Sequence, residues 1–188
     1  TNPKPLNDVV ILISDAEEIG LLGAEAFVNH HPWAKEIKLV LNFEARGSGG
    51  PSFMLLETNQ GNKNLIAEFN ESKPTYPVAN SLLYSIYKML PNDTDLTVFR
   101  ETANINGFNF AFIDDHFDYH TSQDSFERLD KNTLKHQGAY LMHLLPHFAN
   151  ADLSNLNSET DLVYFSFPGF GLINYPFSWV LPMVVLGF

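Results

Sequence analysis

Short apolar runs alternate with helix-like segments along most of this chain, and that alternation limits the folds open to it. The first run, VVILI at 9–13, has no polar alternation, which is typical of a strand covered on both faces. The same pattern predicts further strands at 37–43, 52–57, 96–99 and 109–113, and helices at 17–30, 60–71, 77–90 and 131–149. The sequence therefore predicts an α/β layered fold with a largely parallel or mixed sheet.

The composition excludes several classes of function. A chain of 188 residues that is 45% apolar is long enough for one ordinary domain, or for part of a larger one. A net charge of −11 argues against nucleic-acid binding, which needs a basic face. Because the chain has no cysteine, any metal ion must be held by histidine, aspartate or glutamate.

The stretch SDAEEIGLLGAEAF, at 14–27, places two glutamates side by side after the first apolar run. One interpretation is a helix start, with Ser14 as the N-cap and Glu17 completing a capping box. Acidic residues in a first turn also suit the helix dipole. That interpretation explains acids here, but it does not explain why Glu17 and Glu18 are adjacent, since neighbouring carboxylates repel each other.

Acidic and imidazole side chains follow several of the expected strands. Glu17 and Glu18 come after the first strand, Glu44 ends the second, and the loop after NFAFI contains Tyr119 and His120 among several acids. In α/β sheets, ligands gather at the carboxyl ends of the strands. We therefore expect a cation site with oxygen and nitrogen ligands, for which zinc is the leading candidate.

Four stretches in this order resemble a known family. DAEEIGLLGA, NFEA, TDLTVF and YHTSQDSFERLD are similar to landmarks of the co-catalytic zinc aminopeptidase family, which also contains glutamate carboxypeptidase and the endoplasmic-reticulum and vacuolar membrane metallopeptidases. The resemblance runs from about residue 9 to residue 149. It implies a helix–sheet–helix fold, two zinc ions and hydrolysis of peptide substrates from the N-terminus.

The resemblance assigns a role to each matching residue. Glu17 would be the general base that takes a proton from the attacking water, and Glu18 and His120 would bind one zinc ion. Glu44 stands where most of the family has an aspartate ligand of the second ion, and glutamate there resembles the membrane-bound branch. Tyr119 would steady the tetrahedral intermediate. Asp95 and Phe99 match a motif near the substrate pocket whose role stays open.

Other histidines and acids favour structural interpretations. His116 and Asp118 imitate a metal-binding pair, but their position in the loop favours loop polarity. His143 and His147 are four residues apart on an expected helix, yet no glutamate follows His143, and Pro146 disturbs the helix. The sequence therefore predicts that these two histidines lie on the surface.

The family also needs a histidine and a bridging aspartate ahead of the paired glutamates. Residues 1–16 contain no histidine, and Asp8 lies too close to serve as the bridge. We therefore expect residues 1–153 to be the C-terminal portion of a catalytic domain that is inactive alone. A non-catalytic binding module and a single-metal glutaminyl cyclase are the alternatives, although the His-Thr-x-x-Asp element favours a peptidase.

Residues 154–188 differ in character from the rest of the chain. No charged residue follows Asp161, and the 27 residues from 162 to 188 are rich in apolar and aromatic types. Such a stretch exceeds the roughly 20 residues that a membrane span needs. The sequence thus predicts that a membrane region begins here, and a buried β-rich tail is the alternative. The resemblance implies a membrane-associated protein with a lumenal or extracytoplasmic catalytic domain.

Overall fold

A mixed three-stranded sheet forms the centre of the molecule. In the computed structural model, which describes residues 4–87, 89 and 93–187, the strands are β1 (Val40–Ala45), β2 (Gly49–Glu57) and β3 (Gly107–Asp114). The order across the sheet is β1-β3-β2, with β1 parallel to β3 and β2 antiparallel to it. The expected α/β fold with a mixed sheet is confirmed.

Helices cover both faces of this sheet. On one face, α2 (Lys63–Glu71) and α5 (Lys131–Phe148) pack against apolar side chains that include Phe108 and Phe110 of β3. On the other face, α1 (Leu22–His30) and α4 (Asp95–Ala103) form a second apolar cluster with Val40 of β1. Successive strand residues point to opposite faces, so β1 contributes Leu41 and Phe43 to the first cluster and Val40 to the second.

The remaining elements pack around the edges of these layers. Helix α3 spans Ser81–Tyr87, and residues 88 and 90 of the expected 77–90 helix lie outside the described residues. A hairpin of β4 (Leu162–Phe167) and β5 (Gly171–Pro176) follows, and then α6 (Val180–Gly187). Short 3-10 turns occur at Pro32–Glu36, Leu153–Asn155 and Phe177–Trp179.

The expected membrane span beginning at residue 162 finds no support. Residues 162–176 pair as an antiparallel hairpin, whose Tyr164 and Leu172 are buried in the core beside α2 and α5. Among the described residues, no helix combines the length and apolar character that a membrane crossing requires. Hairpin pairing satisfies the backbone of this apolar stretch, and Pro168 and Gly169 lie in the turn between the two strands. Residue 188 lies outside the described part of the chain.

Two of the expected strands are wrong. The run at 9–13 forms no strand and is not buried, since Ile11 is 84% exposed and Ile13 is 91% exposed. Its composition favours a strand, but none of the residues that the structure describes pairs with it. The run at 96–99 lies inside α4. At the start of this helix the backbone N–H of Thr94 donates to Oγ1 of Thr97 at 3.1 Å, and the N–H of Thr97 donates to the Thr94 carbonyl at 2.8 Å.

Candidate active site

A contact between two distant parts of the sequence defines the site. The Nε2 atom of His120 lies 2.7 Å from Oε1 of Glu18, although the residues are 102 positions apart. Both side chains are more than half exposed, so the pair faces solvent at the rim of the sheet. Their donor atoms therefore lie close enough to share one cation.

The paired glutamates lie in a tight turn rather than in a helix. The carbonyl of Glu17 accepts the backbone N–H groups of Gly20 and Leu21 at 3.1 and 2.8 Å. Ala16 and Leu21 have φ near +60°, and α1 begins only at Leu22. The expected capping box is therefore wrong, and the Ser14 hydroxyl instead donates to the carboxylate of Asp95 at the start of α4. The bond to Asp95 anchors the N-terminal end of this turn.

Gly23 permits the chain to fold back over the start of α1. A Cβ atom at residue 23 would lie 2.6 Å from the carbonyl oxygen of Asp15 and 2.9 Å from Cβ of Ser14. The backbone N–H of Gly23 donates to that same Asp15 carbonyl at 3.1 Å. Only glycine fits at position 23, because the backbone of Asp15 passes so close to it. This close approach fixes the ends of the turn that carries Glu17 and Glu18.

The loop that carries His120 is held by a buried carboxylate. Asp118 is 2% exposed and accepts hydrogen bonds from the Ser48 hydroxyl at 2.6 Å and the Arg128 guanidinium at 2.8 Å. These two bonds hold the pKa of Asp118 below its usual value. Asp118 therefore stabilises the loop through these two bonds. This agrees with the prediction that His116 and Asp118 are polar loop residues and not a metal-binding pair. His116 is exposed.

Glu44 points to the face of the sheet that α4 covers. It lies inside β1, opposite Ala111 of β3, and one of its carboxylate oxygens accepts from the amide of Asn42 at 3.1 Å. Its backbone carbonyl accepts from Gln137 of α5 at 2.9 Å. The strand and α5 together fix the backbone of Glu44, while its carboxylate remains on the side of Asp95 and Glu17.

Four carboxylates act on one another here: Glu17, Glu18, Glu44 and Asp95. Burial raises the pKa of Glu17, and the negative charges of Glu44, Glu18 and Asp95 raise it further. Burial and the charge of Asp95 also raise the pKa of Glu44. The buried Oδ1 atom of Asp95 has no hydrogen-bond partner within the described residues. Such a concentration of negative charge suits a bound cation.

The donor types fit zinc, but the number of close ligands is small. Zinc binds carboxylate oxygen and imidazole nitrogen, and a catalytic zinc site normally has three protein ligands. Glu18 and His120 supply two such donors. In the described part of the chain, Glu44 does not join them in a group whose three ligand atoms all lie within 4.8 Å of one another. The structure therefore brings together two of the three expected ligands.

A solvent-open cleft of about 530 Å³ lies beside the Glu18–His120 pair. Tyr119 lies at its wall, with its ring stacked on His120 at a centroid distance of 3.8 Å. Burial and the charge of Glu18 raise the pKa of the Tyr119 phenol, so its hydroxyl keeps its proton and can donate a hydrogen bond. The cleft is lined by Glu17, Glu18, Gly20, Leu21, Arg46, Asp93, Tyr119 and His120.

The structure brings the glutamate pair, Tyr119 and His120 together around one cleft, and it adds supporting residues that the sequence did not indicate. Arg46 brings a positive charge to an otherwise acidic cleft, and its position two residues beyond Glu44 could have indicated this. The bond between Ser14 and Asp95 and the role of Asp118 depend on contacts between distant segments. Local spacing carries no signal for such contacts.

Comparison with known proteins identifies the class. The model of peptidase family M28 matches residues 1–145, so the chain belongs to this family. It is 31% identical over 181 residues to "Endoplasmic reticulum metallopeptidase 1" of Mus musculus and 32% identical over 183 residues to "Putative endoplasmic reticulum metallopeptidase 1-B" of Caenorhabditis elegans. These alignments cover 93% and 94% of this chain.

A second group of relatives is fungal. The chain is 30% identical over 171 residues, 90% of its length, to "Vacuolar membrane protease" of Candida dubliniensis. The chain spans 20% of each of the two metallopeptidases and 18% of the protease. No solved structure gives a significant match. The expected resemblance to the membrane-bound branch is confirmed.

Gly23→Ala should disturb the turn that carries the glutamates. Its new methyl group meets the backbone of Asp15, and such overpacking costs about 1–3 kcal/mol of unfolding free energy. Gly138→Ala is the matched control, because Gly138 lies inside α5 with nothing within 4 Å of a new Cβ atom. That change should stabilise the chain by up to about 1 kcal/mol.

Urea unfolding of both variants measures the two effects. Histidine NMR spectra should also show a shifted His120 signal in Gly23→Ala and an unchanged one in Gly138→Ala. Equal stability of the two variants, with His120 unmoved in both, would contradict the role given to Gly23.

Proposed function

We propose that the protein is a zinc-dependent exopeptidase of the aminopeptidase type and that this chain carries part of its catalytic centre. The contact between Glu18 and His120 carries the proposal, because it unites the acidic turn and the His120 loop at one rim. Glu17 and Tyr119 line the same cleft. Membership of peptidase family M28 supports peptide-bond hydrolysis as the chemistry.

Each side chain has a defined task in the proposed reaction. Zinc, when bound by Glu18 and His120 with further ligands, would polarise the scissile carbonyl and make water more acidic. Glu17 takes a proton from the attacking water, whose oxygen forms the new bond to the carbonyl carbon. As the C–N bond breaks, Glu17 passes that proton to the leaving amine. Tyr119 donates a hydrogen bond to the oxyanion of the tetrahedral intermediate.

Among the described residues, only two protein ligands, Glu18 and His120, come together at the proposed first zinc ion. The zinc centre therefore needs ligands from outside these 188 residues. We propose two zinc ions, with Glu44 on the second, and its separation from the Glu18–His120 pair suits that assignment. Two ligands on exposed loops leave water to fill the other positions of the first ion. We therefore propose that the chain alone is inactive, and that the remaining ligands come from another segment of the complete protein.

We also propose that the complete protein is membrane-associated, with the catalytic domain on the lumenal or extracytoplasmic side. The relatives named for the endoplasmic reticulum and the vacuolar membrane support this location. The complete protein should stay with membranes through an alkaline wash, and its release into the supernatant would contradict the proposal.

Glu17→Gln in the complete protein should abolish most activity without removing metal. Loss of a general base lowers kcat by about 10²- to 10⁴-fold, while the zinc content stays unchanged because Glu17 is not a ligand in this proposal. Glu25→Gln removes the same charge from an exposed position on α1 and is the matched control. Steady-state hydrolysis of aminoacyl reporters and metal analysis measure both properties.

The outcomes of that experiment separate the candidate functions. Near-normal turnover by Glu17→Gln would remove this residue from the mechanism. If the complete wild-type protein hydrolyses no aminoacyl reporter with any added metal, the non-catalytic binding module becomes the better account.

The 188-residue chain alone should hydrolyse a leucyl reporter no faster than background, and zinc should perturb its His120 ring only weakly. Zinc binding should be weak because only two protein ligands in the described part of the chain, Glu18 and His120, are available, and both lie on exposed loops. Histidine NMR spectra during a zinc titration, followed by the reporter assay, test this directly. Saturation of His120 at stoichiometric zinc, or turnover that Glu17→Gln abolishes, would contradict the prediction.

A further inference from the structure

A second group of metal-type ligands lies on the seam between α2 and α5. Its members are Glu68 and Glu71 of α2 and His147 of α5. One carboxylate oxygen from each glutamate and one ring nitrogen of the histidine all lie within 4.8 Å of one another. Across the residues that the structure describes, this is the only group of three such side chains gathered so closely.

The geometry of the two helices creates this group. Glu68 and Glu71 are three residues apart, so they lie on the same side of α2. The Nε2 atom of His147 lies 2.7 Å from Oε2 of Glu68, and these side chains are only 20% and 26% exposed. The donors are thus partly shielded from water and held by regular helices, which keep ligand positions more constant than loops do.

Core packing fixes how α2 and α5 are rotated about their own axes, and this sets which side chains lie on the seam between them. Phe69 of α2 and the pair Leu144 and Phe148 of α5 are buried in the same apolar cluster. Glu68 and His147 are the immediate neighbours of Phe69 and Phe148, so they emerge at the edge of that core. The ligands therefore keep their relative positions without depending on their own hydrogen bond.

A second imidazole lies on the same side of α5. His143 precedes His147 by four residues, which is about one helical turn, and its Nε2 atom lies 2.7 Å from Oγ1 of Thr75. Thr75 follows α2 by only a few residues. Both histidines are partly exposed, and each contacts α2 or the segment after it.

This seam is distinct from the peptidase site. Near the start of α5, Gln137 donates to the carbonyl of Glu44, and the residue before the helix, Asp130, donates its N–H to Ser48. His147 is ten residues beyond Gln137, which is about 15 Å along an α-helix. The seam therefore lies toward the opposite end of α5 from the catalytic loop.

We propose that Glu68, Glu71 and His147 bind a divalent zinc-type cation that links α2 to α5. Two carboxylates and a neutral imidazole are ligands that zinc accepts, and three protein ligands leave one tetrahedral position for water. The ion also offsets the repulsion between two glutamates on one helix face. The site does not depend on the proposed peptidase function, and its effect is to hold the two helices together.

Glu71→Gln tests the proposal without breaking the Glu68–His147 contact, since Glu71 is exposed at the end of α2. Loss of a hydrogen-bonding partner of a metal ligand commonly lowers metal affinity about 10- to 100-fold. Loss of a ligand should therefore raise the apparent dissociation constant at least about tenfold. Glu36→Gln is the matched control, because Glu36 is an exposed glutamate at the end of the Pro32–Glu36 turn, which packs with α1 on the opposite face of the sheet.

The measurement is a zinc titration of the 188-residue chain followed by histidine NMR, with His147 identified from a His147→Asn sample. Zinc should shift the His147 signals saturably in wild type and Glu36→Gln, and only at much higher concentration in Glu71→Gln. The same zinc should raise the melting temperature of wild type more than that of Glu71→Gln. No shift of His147, or equal affinity in wild type and Glu71→Gln, would overturn the proposal.

Discussion

Strand β3 is the element on which both layers and the candidate site depend. Its first six residues, 107–112, are buried, and the strand pairs with β1 on one side and with β2 on the other. Phe108 and Phe110 supply one apolar cluster, while Gly107 of the same strand lies against Leu96 of α4. Because β3 leads directly into the loop at 115–130, the burial of this strand determines where His120 can lie.

The site is positioned by anchors and not by its own central contact. An exposed ion pair contributes only about 0–1 kcal/mol, and both Glu18 and His120 are mostly exposed. The firm constraints lie behind them, in the Ser14–Asp95 bond, the close approach at Gly23 and the buried Asp118. The two donors are thus brought together by the fold, while their exposure leaves them free to bind a ligand.

The sequence predicted those helices and strands whose local apolar pattern agrees with the packing that the rest of the chain provides. The mixed α/β fold and α5 follow from periodicity, because their apolar residues pack against the core on the expected side. The runs at 9–13 and 96–99 were misjudged for different reasons. The first has strand composition but pairs with no described residue, and in the second the bond from the Thr94 N–H to Oγ1 of Thr97 marks the start of a helix over a short apolar run. Composition alone cannot supply either fact.

The candidate site shows the same division. Motif order was enough to associate Glu17, Glu18 and Tyr119 with His120, although residues 9–13 form no strand and the acidic turn is held by the Ser14–Asp95 bond and the close approach at Gly23. The use of Ser14 was misjudged, because a serine before two glutamates is also the pattern of a capping box. Its hydroxyl bonds instead to Asp95, 81 residues away, and no local pattern could predict that choice.

The central claim is that Glu18 and His120 bind the same zinc ion while Glu17 stays free to move a proton. Anomalous scattering at the zinc edge, from crystals of the complete protein grown with zinc, tests this claim most directly. We expect an anomalous peak in contact with Nε2 of His120 and a carboxylate oxygen of Glu18, with Glu17 beside it but not coordinating. A zinc peak that touches neither His120 nor Glu18, or one coordinated by Glu17, would contradict the account.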